Sequence, residues 1–418
     1  MKALVLAGGF PQIALINNLK HRGIEVVLAD YNEEPVAKKY ADKFSQTSTL
    51  DVEAIKALAT KEAVDFLITV CTDQALLTVA KVSEDLGLPC YIDYQTALNV
   101  TNKQYMKKKF ADNNIMTAQF VVLRELDEKA IEKMNYPLIV KPVDCNSSKG
   151  VKRCNNYAEL KKYFTDAVKF SRTNTAIIEE FINGKEVSVD VYVQNGKAHV
   201  LCVSNSDKIA EKDKFVIFRT IYPAAISQDV YQQIEMIAQQ IADAFEIHNS
   251  PMLIQFLIDG QKAYVIEFSA RTGGGVKYLL IERTSGFDVI DAVVELTLGN
   301  SPYIGQVISK YKYIVNDFVY CEPGVFDHLE GFDELQADGI LDDYYLFKWR
   351  GAVFGDIRAS GDRIAGYTVM SNLQSELIKK HNLVSKRIKA ISKEGKDIIR
   401  HDLLVPLCEK DGFIFTEE

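Results

Sequence analysis

The amino-acid sequence predicts a mixed fold, in which an α/β domain with a doubly wound sheet is followed by α+β regions. The first observation is that a strand, a glycine turn, a helix and a second strand follow one another at the start, over Ala3–Ala7, Gly8-Gly9, Gln12–His21 and Glu25–Ala29. The second is that helix and strand patterns continue to alternate, as in a Rossmann-like domain, to about residue 100. The third is an apolar hairpin over Met252–Arg271, which indicates antiparallel strands further along the chain.

The length and composition are those of a globular enzyme. A chain of 418 residues predicts two or three domains, and 47% hydrophobic with 25% charged residues is typical of a soluble enzyme. The formal net charge of -8 argues against a nucleic acid or an anionic membrane as the main partner. The seven cysteines form no C-x-x-C pair and no apolar run reaches membrane-spanning length, so we expect a cytoplasmic protein without structural zinc.

The glycine turn of the first unit is a weak signal for a dinucleotide. Gly8-Gly9 does not continue into G-x-G-x-x-G, so an oxidoreductase is disfavoured and a tight strand-to-helix turn is the alternative. Thr72 and Asp73 follow a later strand at the carboxyl edge of the same sheet. There they either face a substrate or cap the next helix.

Residues 136–151 combine a lysine with a small polar loop, which suggests a phosphate-binding segment. Lys141 lies at the end of a short apolar strand and is therefore positioned by the fold. The loop Asn146–Gly150 has small polar side chains, and its backbone N–H groups can approach an anion. The pattern is not that of a P-loop, and an ordinary hairpin turn is the alternative.

A lysine-rich helix is predicted over Thr101–Asn113, before this segment. Lys103 lies at its start and is a candidate binding residue. The remaining lysines, Lys107, Lys108 and Lys109, are expected on a solvated face.

Residues 176–193 are predicted to form two strands with a bend at Asn183-Gly184 between them. Glu179 and Glu180 are adjacent carboxylates in the first strand, so one of them must face inward. In the second strand, Val187 and the alternate valines share one face, which leaves the opposite face to Glu186, Ser188, Asp190 and Tyr192. The charged stretch Asp207–Thr220 that follows lacks periodicity and is expected to be a mobile loop or a sheet edge.

The hairpin over Met252–Arg271 carries the strongest group of polar residues. Pairing about Gln261 would place Gln255 directly opposite Glu267, and the period of two then adds Ser269 and Arg271 to the same face. Hard cations such as magnesium accept a few protein oxygens and complete their shell with phosphate and water. The hairpin therefore predicts a metal site beside one guanidinium group.

Taken in order, these motifs resemble the ATP-grasp superfamily, in particular its branch of carbamoyl-phosphate synthase large-chain-like enzymes and amino-acid ligases. The resemblance covers roughly residues 1–300. It implies a Rossmann-like pre-ATP-grasp domain over 1–100 and an ATP-grasp domain over 101–300, with a lid subdomain about 115–182. A C-terminal α+β region, 301–418, would pack on or complete the ATP-grasp half.

The resemblance also implies roles for individual residues. Lys103 and Lys141 resemble the lysines that hold ATP, Glu186 resembles the ribose-binding position, and Arg271 resembles the arginine that stabilises the transferred phosphoryl group. The flap would comprise Ser147, Ser148, Lys149 and Gly150, the adenine-reading hinge Glu179, Glu180, Phe181 and Ile182, and the metal site Gln255, Glu267 and Ser269. Asn is usual in the family where this chain has Ser269, and a hydroxyl is a weaker ligand.

The implied reaction is ATP-dependent formation of an amide or peptide bond through an acyl phosphate, with ADP and phosphate released. Its cofactors would be ATP and Mg²⁺, with Mn²⁺ as an alternative, and its partners a small-molecule carboxylate and an amine, one of them an amino acid. Lys208 or Arg219 would hold the incoming carboxylate, with ordinary surface charge as the alternative. The resemblance also implies a homodimer, since dimers are common in the family.

Two other functions stay open. One is a carboxylating or formylating ligase that uses bicarbonate or formate. The other is an ATP-binding module without catalysis, which the neutral residues Gln255 and Ser269 would explain.

Overall fold

The protein is described by a computed structural model covering residues 1–145, 149–209 and 215–408. The predicted flap residues Ser147 and Ser148 lie outside the described residues. Within these ranges the chain forms four β-sheets with helices packed on them. The structure therefore confirms the predicted mixed α/β and α+β fold.

The N-terminal unit is a four-stranded parallel sheet in the order β3-β2-β1-β4. Strands β1, β2 and β4 are almost wholly buried, because helices cover both faces of a parallel sheet. The elements of this unit are β1 (Lys2–Leu6), α1 (Phe10–His21), β2 (Glu25–Asp30), β3 (Lys43–Gln46), α2 (Val52–Glu62), β4 (Phe66–Ile68) and α3 (Asp73–Leu86).

Side chains of the protein itself, those of Asp30 and Pro35, fill the space beside the glycine turn between β1 and α1. The Gly8 N–H donates to the Asp30 carboxylate at 2.6 Å, and a Cβ at Gly8 would lie 2.6 Å from Pro35 Cβ. The side chain of Pro35 occupies the space beside the turn. The geometry is that of a tight strand-to-helix turn, the alternative to a dinucleotide site.

The next unit is a four-stranded antiparallel sheet in the order β5-β8-β6-β7, with helix α7 packed on it. It lies within the region predicted as the lid. The elements from the end of the first unit onward are α4 (Tyr94–Thr101), α5 (Lys103–Asp112), β5 (Phe120–Leu123), α6 (Glu128–Ile131), β6 (Leu138–Pro142), β7 (Lys152–Cys154), α7 (Tyr157–Phe170) and β8 (Ala176–Glu180).

An eight-stranded sheet forms the largest layer, in the order β13-β12-β9-β10-β11-β14-β18-β16. Helix α8 packs on its apolar face, where the alternate valines of β9 lie. The elements of its first part are β9 (Lys185–Gln194), β10 (Lys197–Lys208), β11 (Ile217–Tyr222), α8 (Gln228–Ala244), β12 (Ser250–Asp259), β13 (Lys262–Ser269), α9 (Lys277–Ser285) and α10 (Val289–Thr297).

Strands from the last third of the chain extend this sheet. β14, β18 and β16 pair in series beside β11, and a three-stranded sheet in the order β17-β15-β19 lies beyond them. The elements here are β14 (Tyr313–Val319), β15 (Gly324–Glu330), α11 (Phe332–Ala337), β16 (Asp343–Leu346), β17 (Val353–Phe354), β18 (Ala365–Ser371), α12 (Gln374–Arg387) and β19 (Lys389–Ser392). In the described ranges we find no helix that is both long and apolar enough to cross a bilayer.

Two local predictions were wrong. The charged stretch Asp207–Thr220 is not a loop throughout, because its two ends continue β10 and β11 inside the large sheet. Lys107 is not on a solvated face, because only 1% of it is exposed. Both errors have one cause, since charged residues paired inside a fold give the same sequence pattern as charged residues in water.

Candidate active site

A cavity of about 750 Å³ lies between the four-stranded antiparallel sheet β5-β8-β6-β7 and the eight-stranded sheet. The chain crosses from one sheet to the other at residues 181–184, between β8 and β9, so this segment forms the back wall of the cavity. Most of the predicted site residues line it: Lys103, Lys141, Lys149, Glu179, Glu180, Phe181, Ile182, Glu186, Lys208, Arg219, Gln255 and Glu267.

Two buried lysines meet one carboxylate on the side of the cavity formed by the four-stranded sheet. Glu179 pairs with Lys141 at 2.7 Å and with Lys107 at 2.9 Å. Burial alone would raise the pKa of Glu179, but the two ammonium groups outweigh it and lower the pKa to about 2. Glu179 therefore stays ionised and fixes both lysines.

Lys107 belongs to this site although the sequence did not single it out. It lies on α5 one turn after Lys103, which brings both ammonium groups to the same side of the helix. The spacing of four between the two lysines was the available signal. It was obscured by the neighbouring lysines of the same helix, of which Lys108 is exposed.

Lys103 and Glu267 form a second ion pair in the cavity, 3.0 Å long. Asn102 caps α5 with its side chain, so the helix begins at Lys103, and the Lys103 ammonium also donates to the Cys145 carbonyl at 2.8 Å. Burial opposes the charge on Glu267, but Lys103 and Lys141 outweigh it and lower the pKa of that carboxyl. Glu267 is therefore an anionic group at the cavity wall.

A β-bulge in β13 turns Glu267 toward the cavity. Ala263 and Val265 face the apolar core, so strict alternation would also point residue 267 into that core. The register shifts by one residue beside Gln255, with Ile266 as the extra residue, and Gln255 then pairs directly with Glu267. The predicted pairing of Gln255 with Glu267 is confirmed. It results from the bulge at Ile266 and not from a hairpin loop of odd length, as the sequence analysis had assumed.

Gln255 links Glu267 to a third acidic group. Its side-chain amide donates from Nε2 to Glu186 at 3.0 Å, which leaves its carbonyl oxygen as a ligand atom beside Glu267. Glu186 also pairs with Lys208 of β10. A row of polar side chains, Glu267, Gln255, Glu186 and Lys208, thus crosses the cavity wall from β13 to β10.

One backbone N–H group beside the cavity, that of Ile182 just after β8, is available to a ligand. The N–H groups of Glu180 and Phe181 donate to the carbonyls of Gln119 and Pro137, at 2.9 and 3.0 Å. In the described part of the chain, the N–H of Ile182 has no hydrogen-bond partner, and Ile182 lines the cavity. Such a donor at the end of a strand can read the edge of a flat heterocycle.

The loop before β7 is described only in part. Lys149 lines the cavity, and Gly150 adopts a φ of +74°, where a Cβ would lie 2.9 Å from Pro142 Cγ. The chain thus requires glycine at the point where the loop passes β6.

Ser269 and Arg271 lie beyond the cavity and share Asp73. The Ser269 hydroxyl donates to Asp73, and the Arg271 guanidinium contributes two hydrogen bonds, of 2.7 and 2.5 Å. Asp73 is the first residue of α3, and Thr72 before it is the N-cap, with no side-chain cap hydrogen bond. That Thr72 and Asp73 face a substrate stays a prediction. A metal role for Ser269 and a catalytic role for Arg271 stay predictions.

Arg219 lies on strand β11 and not on a loop. Its guanidinium donates to both oxygens of Asp317, at 2.6 and 2.8 Å, and Asp317 also contacts His381 of α12 at 2.9 Å. Arg219 is 3% exposed and Asp317 is fully buried. The predicted contact of Arg219 with a substrate carboxylate stays a prediction.

The cavity residues fit an oxygen-coordinated cation that brings its own ligands. Within residues 1–145, 149–209 and 215–408, no group of three or more His, Cys, Asp or Glu side chains could hold a metal. Glu267 and the Gln255 amide supply two oxygens, and magnesium commonly takes one or two protein ligands with phosphate and water as the remainder. The donor set therefore suits Mg²⁺ delivered with a nucleotide.

Comparison with known proteins agrees with this geometry. Residues 134–278 match the model of the ATP-grasp domain. The chain is 27% identical over 311 residues to the D-alanine–D-alanine ligase of Pediococcus pentosaceus, which covers 64% of this chain and 88% of the relative. It is 22% identical to the carbamoyl phosphate synthase large chain of Clostridium acetobutylicum, covering 68% of this chain but 27% of that protein.

A similar fold is found in the crystal structure of an L-amino acid ligase from Bacillus licheniformis. The TM-score is 0.78 at 19% sequence identity, and the match covers 94% of this chain and 98% of the other.

Proposed function

Because this chain contains an ATP-grasp domain, we propose that it is an ATP-dependent ligase that joins a carboxylate to an amine. The product is an amide or a peptide bond, formed through an acyl phosphate, with ADP and phosphate released. One observation carries the proposal: Lys103, Lys141 and Glu267 meet in one cavity between two sheets, so cations for phosphate and an anion for Mg²⁺ lie side by side. Phosphoryl transfer depends on such fixed charges.

The nucleotide would lie along the cavity wall. The Ile182 N–H and the side chain of Glu180 are suited to the adenine edge, and Glu186 is suited to the ribose hydroxyls. Lys103 and Lys141 would then contact the phosphates. This order follows the chain crossing from β8 to β9 and ends at the Gln255–Glu267 pair.

Glu267 and Gln255 would hold Mg²⁺, which supplies charge neutralisation for the transferring phosphoryl group when bound. Binding requires an exchange of partners, since Glu267 is paired with Lys103 in the structure. Lys103 would then pair with a phosphate oxygen, and Glu267 would be available to the cation. Lys141 keeps Glu179 as its partner and needs no such exchange.

Among the described residues of the cavity, Cys145 carries the one thiol. Cys145 lines the cavity, but burial raises the pKa of its thiol, which keeps it protonated. Direct attack of the substrate carboxylate on the γ-phosphate is therefore the simplest first step. The amine then displaces phosphate from the carbonyl carbon.

An amino acid is proposed as one substrate. Two of the similar proteins are by name ligases of amino acids, a D-alanine–D-alanine ligase and an L-amino acid ligase. The matches cover 88% of the first and 98% of the second, so they include most of each relative.

The test is phosphate release from ATP across a panel of amino acids and small carboxylates, offered singly and in pairs. We expect release to need two partners, with an amide product found by mass spectrometry. Release with bicarbonate and no amine would support the carboxylating alternative instead. Tight ATP binding without turnover for every pair would support a non-catalytic module.

A further inference from the structure

One wall of the cavity is formed by residues 402–407, from the last described part of the chain. This 402–407 segment lines the cavity beside β10 and β11 through Asp402, Leu403, Val405 and Leu407. The match to the ATP-grasp domain ends at residue 278. The wall therefore comes from a part of the chain that the matched domain does not include, and the proposed reaction gives it no role.

Side chains of two other elements hold the backbone of the 402–407 segment. The Asn382 side chain, on α12, donates to the Leu407 carbonyl at 2.9 Å and accepts from the Leu407 N–H at 2.8 Å. These are the two hydrogen bonds that a residue of a neighbouring antiparallel strand would make. The Arg219 guanidinium of β11 donates to the Val405 carbonyl at 2.5 Å. Asn382 and Arg219 therefore fix the backbone of the segment at two adjacent points.

Both anchoring side chains are supported by one buried polar network. Arg219 pairs with the fully buried Asp317, which also contacts His381 at 2.9 Å and accepts a hydrogen bond from the Tyr367 hydroxyl at 3.1 Å. Burial alone would raise the pKa of Asp317, but Arg219 and His381 outweigh it and lower the pKa, so the carboxylate stays ionised. His381 directly precedes Asn382 on α12. The network thus gives the segment a rigid support.

Val405 is the apolar side chain of the segment that protein atoms leave half uncovered. Leu403, Leu404 and Leu407 are at most 7% exposed, whereas Val405 is 47% exposed and lines the cavity. Phe218 of β11 is only partly buried and lines the same cavity. Apolar surface in a cavity gains free energy when a ligand covers it. Val405 is therefore placed to contact a ligand.

The segment lies at a distance from the reacting centre. Glu267 is on β13, and the sheet order β13-β12-β9-β10-β11 puts four strand spacings between β13 and β11. Four spacings amount to roughly 19 Å. Glu186, proposed above for the ribose, is on β9 and pairs with Lys208 of β10, the neighbour of β11. The 402–407 segment is thus closer to the proposed ribose position than to the proposed metal position.

We propose that the 402–407 segment is part of the nucleotide site, with Val405 against the nucleoside half of ATP, and that Asn382 is the positioning residue that holds the segment there. The inference rests on the proposed ATP-dependent function and adds a contact from outside the matched domain. The flat faces of a purine suit an apolar side chain such as valine. Loss of the contact weakens nucleotide binding and leaves kcat at saturating ATP unchanged, because Asn382 and Val405 touch no reacting atom.

Calorimetric titration of the full-length protein with MgADP tests the role of Asn382. Asn382→Leu removes both hydrogen bonds of Leu407 at a similar side-chain size, and we expect the Kd for MgADP to rise by roughly 10-fold. kcat at saturating ATP should stay within about twofold of the wild-type value. A residue that only stabilised the fold would leave the Kd of the folded protein unchanged. An unchanged Kd in folded Asn382→Leu would therefore overturn the proposal.

Val405→Ala provides a second arm that leaves the anchored backbone intact. Because Val405 is half exposed, the substitution should not affect folding, and we expect the Kd for MgADP to rise by roughly threefold as apolar contact is lost. Val353→Ala is the matched control, since Val353 of β17 is 79% exposed and is not among the residues that line the cavity.

The control gives the decisive comparison if Asn382→Leu does not fold. Equal Kd values for Val405→Ala and Val353→Ala would overturn the contact of the 402–407 segment with the nucleotide. A wild-type protein that does not bind MgADP would instead overturn the proposed nucleotide site itself. The two failures are therefore distinguishable.

Discussion

Lys103 and Glu267 form a 3.0 Å ion pair in the cavity, although the proposed reaction assigns them to opposite partners, a phosphate group and a cation. Burial favours the neutral form of Lys103, yet Glu267 outweighs it and raises the pKa of the ammonium. Both groups are therefore charged before substrates arrive. In the proposed complex, ATP and Mg²⁺ would replace this one internal ion pair with two external ones, so we expect their binding to be coupled.

Replacement of Glu267 tests the proposed metal position. Glu267→Gln should reduce ATP turnover by at least about 100-fold, because the cation loses its one protein carboxylate. The fold should persist, since Lys103 keeps the Cys145 carbonyl as an acceptor. Asp259→Asn, in the exposed turn of the same hairpin, is the matched control and should leave turnover unchanged. Full turnover in Glu267→Gln would show that the metal site is misplaced.

Lys107 and its neighbour Lys108 should differ sharply in their effect on stability. Lys107→Met breaks a buried ion pair with Glu179 and should lower the free energy of unfolding by about 3 kcal/mol. Lys108→Met removes an exposed lysine of the same helix and should change it by less than about 0.5 kcal/mol. Chemical denaturation of both variants measures the difference. Equal stability would mean that the buried pair is not formed in solution.

Acid should weaken the contribution of Glu179 to stability. Its pKa is lowered from 4.5 to about 2 in the folded chain, so the unfolded chain binds a proton first as the pH falls. The stabilisation is complete above pH 4.5 and is lost between about 4.5 and 2, amounting to roughly 3 kcal/mol. Glu179→Gln lacks the titrating carboxyl group and therefore this pH-dependent stabilisation. The difference in unfolding free energy between the wild type and Glu179→Gln should therefore shrink across that range, and a constant difference would contradict the assignment.

Arg219 and Lys208 were both predicted to hold a substrate carboxylate, and substitution distinguishes them. Arg219→Leu leaves the fully buried Asp317 without its guanidinium and should cost about 3–5 kcal/mol of stability. Lys208→Met, at a side chain that is 27% exposed, should mainly raise a substrate KM. Thermal unfolding and steady-state kinetics measure the two effects. A stable Arg219→Leu with a raised KM would restore Arg219 as a substrate ligand.

The sequence predicted the direction of side chains correctly where polar and apolar residues alternate regularly along a strand. Alternation in residues 185–194 placed Glu186 and Asp190 on the face opposite the valines, and the structure confirms it. The pairing of Gln255 with Glu267 was also predicted correctly, but by assuming a hairpin loop of odd length. The structure has a bulge at Ile266 instead, and no local pattern marks a bulge of this kind.

Sequence patterns could not predict which charged side chains are buried. Lys107, Arg219 and Asp317 have the charged side chains typical of surface residues, but all three are buried. Lys107 pairs with Glu179, and Arg219 pairs with Asp317. Arg219 also contacts His381, which is 162 residues away in the chain. Such pairs depend on how separate sheets and helices meet. The Asp73–Arg271 contact shows the same limit, since it joins the first unit to the end of β13.

Transfer of a labelled carboxylate oxygen to phosphate tests the central proposal most directly. The carboxylate substrate found in the panel is prepared with heavy oxygen, and the phosphate released during amide formation is analysed by mass spectrometry. Attack of the carboxylate on the γ-phosphate predicts that each released phosphate carries one oxygen from the substrate. Release of unlabelled phosphate together with labelled amide would show that water cleaves ATP, and would contradict an acyl phosphate at Lys103, Lys141 and Glu267.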